Sequence, residues 1–181
     1  LAQDRSLSEL SLREIARAAG IVPTGFYRHF ESVDAIGLVV VDESLQKLRD
    51  LVASFRTPTG SGLSGAQTAE LLLEYVEEHP RHFRVLARER FGGTPAGREA
   101  IAENLGRFTS ELADDLGRMP ALAAWSPADL ELLADLIVGV MIHAVEEALG
   151  APDGRAARDA VVARIQRQLA IVTTGVRDWR S

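Results

Sequence analysis

Between Ser11 and Phe30 the chain reads SLREIARAAGIVPTGFYRHF, and few backbone paths satisfy that order of residues. Ser11 suits a helix N-cap, and Glu14 three positions later completes a capping box, each side chain meeting the other residue's backbone N–H. Leu12, Ile15, Ala16 and Ala19 recur at helical spacing and define one apolar face. Ala16 and Ala19 are small enough to admit a second helix at close range. Gly20 supplies a residue that adopts the left-handed conformation after a helix. Ile21 and Val22 are expected to plug back into the core. Pro23 suits the first turn of the next helix, where its missing N–H leaves no bond unmade. Phe26 and Phe30, four apart, anchor that helix inward and leave Tyr27, Arg28 and His29 facing out or sideways.

Two short helices around a tight turn are the layout of a helix-turn-helix, whose second helix enters a DNA major groove with its N-terminal residues at the bases. Pro23, Thr24 and Gly25 therefore stand where bases would be read, and Gly25 lets the backbone come close. Ser11, Arg13, Tyr27, Arg28 and His29 carry hydroxyl, guanidinium, phenol and imidazole groups suited to phosphate oxygens. The charge pattern agrees locally. The chain as a whole carries a formal net charge of −6, which argues against a nucleic-acid binder. From Ser11 to Phe30, however, Arg13, Arg17 and Arg28 face only Glu14. A basic head on an acidic body keeps the body away from DNA.

Ile15-Ala16, Gly20, Thr24, Tyr27, His29 and Phe30 resemble, in type and spacing, the DNA-binding signature of the TetR family of bacterial repressors. The same stretch with Asp34, Gly37, Leu38 and Val41-Asp42-Glu43 is similar to the FabR and DesT type, which represses unsaturated fatty acid synthesis or desaturation. So is Phe83-Arg84-Val85-Leu86-Ala87-Arg88-Glu89-Arg90-Phe91-Gly92-Gly93. The resemblance implies an all-α homodimer, a palindromic double-stranded DNA operator, and a small hydrophobic effector, in this subgroup a long-chain acyl-CoA. In the family a full first helix precedes the motif. Here only Leu1 to Ser6 could belong to that helix, so most of it is expected to lie outside this sequence and DNA binding to be weaker without it.

The 181 residues allow a small head and a larger body. Three segments are expected: a head at residues 1–32, a linker helix at 33–56 with an apolar series from Ile36 to Phe55, and a ligand-binding and dimerisation body at 57–181. The stretch TPTGSGLSG from Thr57 to Gly65 is dense in Gly, Pro and Ser and marks the loop between linker and body. Body helices are expected at about Ala66–Glu78, Pro80–Arg90, Ala96–Leu116, Pro127–Leu149 and Arg155–Trp179. No apolar run is long enough to span a membrane and no secretory signal appears, so a cytoplasmic protein without membrane contact is expected. There is no cysteine, hence no disulfide and no thiolate chemistry.

Leu132, Leu133, Leu136, Ile137, Val140 and Met141 form one broad apolar stripe, and Ala160, Val161, Ala163, Ile165, Leu169, Val172 and Val176 another. Such helices either fill the core of one chain or pack on the same pair from a second copy as a four-helix interface, and the resemblance favours the second. His79, Arg81, His82, Arg84, Arg88, Glu89 and Arg90 form a charged run. It reads either as an exposed amphipathic face or as the polar mouth of a ligand cavity, where arginine pairs with a phosphate or carboxylate. Phe83, Leu86, Ala87 and Phe91 are expected to face inward in both cases. Spacing adds Leu72, Ile101, Leu105, Phe108, Ile137 and Met141 to the candidate lining, with Arg90 at its mouth.

His143 and Glu146 share a helical face, but one such pair does not make a metal site. No nucleophile elbow or phosphate-cradling loop is present, since Gly92-Gly93-Thr94 lacks a following lysine. No catalysis, cofactor or metal is expected. The alternatives are a regulator of drug efflux with planar or cationic ligands, which the aromatic content of 6% disfavours, and a helical interaction module that binds no DNA.

Overall fold

The structure is a computed structural model that describes residues 5–54, 65–151 and 154–179. Phe55, most of the loop expected from Thr57 to Gly65, and Pro152 and Asp153 lie outside the described residues. Among these, the regular structure is entirely helical. A single 3-10 turn, Leu7–Glu9, precedes α1 (Leu12–Ala19), α2 (Pro23–Phe26), α3 (Val33–Ser54), α4 (Gly65–Glu78), α5 (Pro80–Gly92), α6 (Pro95–Gly117), α7 (Pro127–Gly150) and α8 (Arg155–Asp178).

The starts have local causes. Ser32 Oγ accepts from Ala35 N at 3.0 Å at the head of α3, and Ser126 Oγ accepts from Asp129 N at 3.2 Å at the head of α7. Proline opens α5 and α7 at the position where it removes no helical bond.

The chain divides into two compact units, residues 1–49 with 79–104, and residues 50–78 with 105–181. Residues 79–104 thus group with the head, which the loop-based division of the sequence does not indicate. The first unit buries Leu7, Leu10, Ala16, Phe26, Val41, Leu45, Phe83, Val85, Leu86 and Ile101. Polar contacts add direction to this packing. Ser44, fully buried, donates to Val40 O at 2.8 Å, and its hydroxyl lies 3.3 Å from His82 Nδ1. Arg49 donates to Asn104 Oδ1 at 3.0 Å.

In the second unit α4 packs on α7 and α8, and α7 on α8. Ala69, Leu72, Leu73 and Val76 repeat at three- and four-residue steps and are almost fully buried. Ala134, Ala144, Val161, Ile165 and Leu169 are buried on α7 and α8. Arg158 Nε pairs with Glu77 at 3.0 Å and Arg164 Nη1 with Glu147 at 2.9 Å, tying α8 to α4 and α7. The Trp125 and Trp179 ring centroids lie 6.5 Å apart. Leu132, Leu136 and Ile171 remain more than half exposed.

Candidate nucleic-acid interface

The reading head is built from α1, the turn after it and α2. Glu14 N donates to Ser11 Oγ at 3.4 Å, Ser11 N donates to Glu14 Oε2 at 2.9 Å, and the Ser11 hydroxyl donates to the same oxygen at 2.7 Å. The capping box is therefore closed. Arg5 Nη1 adds an ion pair to Glu14 Oε1 at 2.6 Å. The Ser11 hydroxyl and N–H, and then the Arg5 guanidinium, hold the Glu14 carboxyl down at about 2. Ser11 is exposed, yet both its donors are engaged by Glu14, so a phosphate could take its hydroxyl proton only by displacing that carboxylate.

Gly20 adopts φ 69° and ψ 26°. Its N–H bonds to Arg17 O at 3.2 Å, and Ile21 N to Ala16 O at 2.9 Å, which is a complete Schellman motif. Ile21 and Val22 do not plug into the core as the sequence suggests. They are 40% and 66% exposed, because Leu7, Leu10, Ala16 and Phe26 already fill the small interior and the left-handed glycine turns the chain outward.

Helix α2 is one turn long. Phe26 ends it, and Tyr27 to His29 continue as tight turns, with His29 N and Phe30 N both bonded to Phe26 O, at 2.9 and 3.1 Å. The second helix is thus shorter than the sequence implies. Phe26 is buried with its ring 5.7 Å from Tyr27 and 5.6 Å from Phe30. Pro23, Thr24, Tyr27, Arg28 and His29 are all exposed around it, Gly25 is half-buried, and Arg13 is exposed on α1. One buried aromatic thus pins a turn whose remaining polar side chains reach solvent. Nothing but ordinary contacts, at 3.7 Å or more, would meet a Cβ at Gly25.

Comparison with known proteins decides the family. Residues 66–173 match the tetracyclin repressor-like C-terminal domain, and residues 1–36 match the bacterial regulatory proteins of the tetR family. The chain belongs to the TetR family. A TetR-like transcriptional regulator from Rhodococcus sp. RHA1 shares the fold at 23% identity and a TM-score of 0.67, over 93% of this chain and 88% of that one.

As a TetR regulator the chain is a ligand-responsive, DNA-binding repressor of a non-enzymatic family in which homodimers are typical. Among the described residues no three His, Cys, Asp or Glu side chains come together as a metal site, and no helix is long and apolar enough to cross a membrane.

The residues suggested for a TetR effector site are divided between the units. Phe83, Leu86, Ala87, Arg90, Phe91 and Ile101 belong to the first, and Leu72, Leu105, Phe108, Ile137 and Met141 to the second. Leu72, Phe83, Leu86, Ile101 and Phe108 are buried. Ala87, Arg90, Leu105, Ile137 and Met141 are half-buried. Phe91 corrects the sequence reading. It is 72% exposed, with the Arg90 guanidinium 4.9 Å from its ring centroid. The buried side of α5 centres on Val85, Leu86 and Glu89, and a residue two positions past Glu89 falls on the opposite side.

The charged run on α5 conceals a residue that sequence reading missed. Glu89 is 1% exposed. Its Oε1 accepts from Leu7 N at 2.7 Å and from Ser6 Oγ at 2.9 Å. The sequence carries one usable signal of this, Gly93 four residues on. A Cβ there would lie 2.6 Å from both Glu89 O and Glu89 Oε2.

Proposed function

We propose that this TetR regulator represses lipid-metabolism genes and senses a long-chain fatty acyl thioester such as acyl-CoA. The observation that carries the DNA-reading part is the exposed set Thr24, Tyr27, Arg28 and His29 around buried Phe26. Thr24 and Gly25 meet base edges, with Pro23 at the groove wall. Tyr27, Arg28, His29 and Arg13 meet phosphates, and Ser11 chiefly orients α1. The operator is a palindrome whose half-sites sit about 34 Å apart, or a multiple of that.

Exposed Leu132 and Leu136 on α7 and Ile171 on α8 supply the seam between two copies. Their neighbours Leu133, Ile165 and Leu169 turn inward, so α7 and α8 each serve both core and partner. The acyl chain lies among the apolar side chains of the second unit, with Leu72, Leu105, Phe108, Ile137 and Met141 as its lining. Support for an acyl ligand comes from the likeness of Ser11–Glu43 and Phe83–Gly93 to repressors of unsaturated fatty acid synthesis. The effector acts by as much as it prefers one head spacing over another.

Two experiments test this. Selection of duplexes from a random library defines the operator. Thr24→Ala is then expected to change the preferred bases and Tyr27→Ala to weaken all duplexes alike. A Thr24→Ala chain with unchanged preference removes Thr24 from base reading. Native mass spectrometry with acyl-CoAs of differing saturation is expected to show one acyl ligand per subunit of a dimer. A dimer that ignores every acyl chain moves the effector to the planar or cationic class.

A further inference from the structure

Burying a carboxylate is costly unless hydrogen bonds replace its water. Glu89 is nevertheless almost wholly enclosed, and its hydrogen bonds run to Ser6 and Leu7 rather than to the exposed DNA-reading residues. Its partners lie at the other end of the sequence, in the turn that leads into α1. Leu7 N and Ser6 Oγ both reach Oε1. Ser6 Oγ also lies 2.9 Å from Gly92 O, as does Ser8 Oγ. Each hydroxyl has one proton. All acceptors are served when Ser6 donates to Glu89 and Ser8 donates to Gly92 O.

The end of α5 thus grips the 3-10 turn through directional bonds. Arg5, just before the same turn, is joined to α1 by its ion pair with Glu14. It is also set against α3, where a Cβ on Gly37 would lie 3.8 Å from Leu7. Apolar packing alone tolerates small slips, whereas bonds to one carboxylate oxygen do not. Helix α5 has a second distinction. It falls inside the stretch that matches the family's C-terminal domain, yet it groups with the DNA-reading unit.

We propose that Glu89 is a positioning residue for DNA binding, its carboxylate seating the Ser6–Glu9 turn on the end of α5 and so fixing how α1 and the reading turn behind it are presented. The proposal rests on the family's DNA-binding function. Gly93 belongs to the device, because any side chain there would occupy the space of the carboxylate.

The test uses the full chain and a duplex that the wild type selects from a random library. Glu89→Ala leaves Leu7 N buried without its acceptor and is expected to lower affinity about tenfold or more. The loss is expected at every salt concentration, with the slope of log K against log salt unchanged, because no phosphate contact leaves. Glu89→Gln keeps an acceptor oxygen and is expected to stay within about threefold of wild type. Ser6→Ala is expected to lose less than Glu89→Ala, and the double variant no more than Glu89→Ala alone. Circular dichroism and the dimer mass report folding. Should Glu89→Ala fail to fold, Ser6→Ala and Glu89→Gln still decide the matter.

Wild-type affinity in both Glu89→Ala and Ser6→Ala overturns the proposal. So does a Gln variant as weak as Ala, or a reduced salt slope. A wild-type chain that selects no duplex overturns the DNA-binding reading itself, and the proposal with it.

Discussion

Glu14 ties the charge state of one side chain to the start of the reading head. Its carboxyl is held at about 2 by Ser11 and Arg5, below the ordinary carboxylate value. A group whose folded value is lowered stabilises the fold above its unfolded value, and that contribution disappears as pH falls through the folded value. The contribution is therefore complete above about pH 5 and is lost progressively towards pH 2. An NMR titration of the Glu14 side chain is expected to show its midpoint near the bottom of that window, and a midpoint above about 4 would mean the capping box is open in solution. Gly25 gives a second residue-level prediction. A Cβ there meets Val22 Cγ2 at 3.7 Å, an ordinary contact, so Gly25→Ala is expected to fold with unchanged or slightly higher melting temperature. It is also expected to weaken operator binding, since the added methyl stands between backbone and groove. Equal losses in stability and binding would show that Gly25 serves the fold alone.

Helix punctuation carries the element scale. Gly20 has φ 69° and open space around its missing Cβ, so Gly20→Ala meets only the left-handed backbone cost, about 1 kcal/mol. Chemical denaturation is expected to show that loss, and an unchanged midpoint would mean the turn relaxes without the glycine. Such local signals are what made the elements legible. Ser11 with Glu14, Gly20, Pro23, Pro80, Ser126 with Pro127, and the Gly92-Gly93 pair act through their own backbone, and the observed bounds of α4 to α8 fall within about two residues of the expected ones. What was not legible depended on neighbours distant in sequence. Nothing near Ile21 and Val22 says that Leu7, Leu10 and Phe26 already fill the head. In α5, arginines, His82 and aliphatic residues alternate so that several faces look equally amphipathic. Only the contact with Ser6 and Leu7 decides that Glu89 turns in and Phe91 turns out. The candidate DNA surface was legible because its exposed residues follow from one inward anchor, Phe26. Leu72, Ile101, Leu105, Phe108, Ile137 and Met141 follow from spacing alone, and spacing does not say which unit a residue joins.

At the scale of the whole molecule, charge and copy number set how the repressor meets DNA. The chain is acidic overall, at −6, so attraction must come from the heads. On the proposed assignment, Arg13 and Arg28 on each of two heads neutralise about four phosphates, which predicts a slope of log K against log salt of about −3 to −4. Arg28→Ala is expected to make that slope shallower by about two in the dimer, and an unchanged slope would take Arg28 off the phosphates. The aromatic residues divide the molecule in another way. The chain has two tryptophans, and both, Trp125 and Trp179, lie in the second unit with their rings 6.5 Å apart. The DNA-reading turn carries Tyr27, a phenol that absorbs more weakly and at shorter wavelength than an indole. Excitation at the red edge of the absorption band therefore illuminates the second unit and leaves the reading turn dark. A shift in tryptophan emission on adding an operator duplex is then light from residues outside that turn, and the unlabelled protein carries its own optical record of whether DNA binding is felt in the second unit.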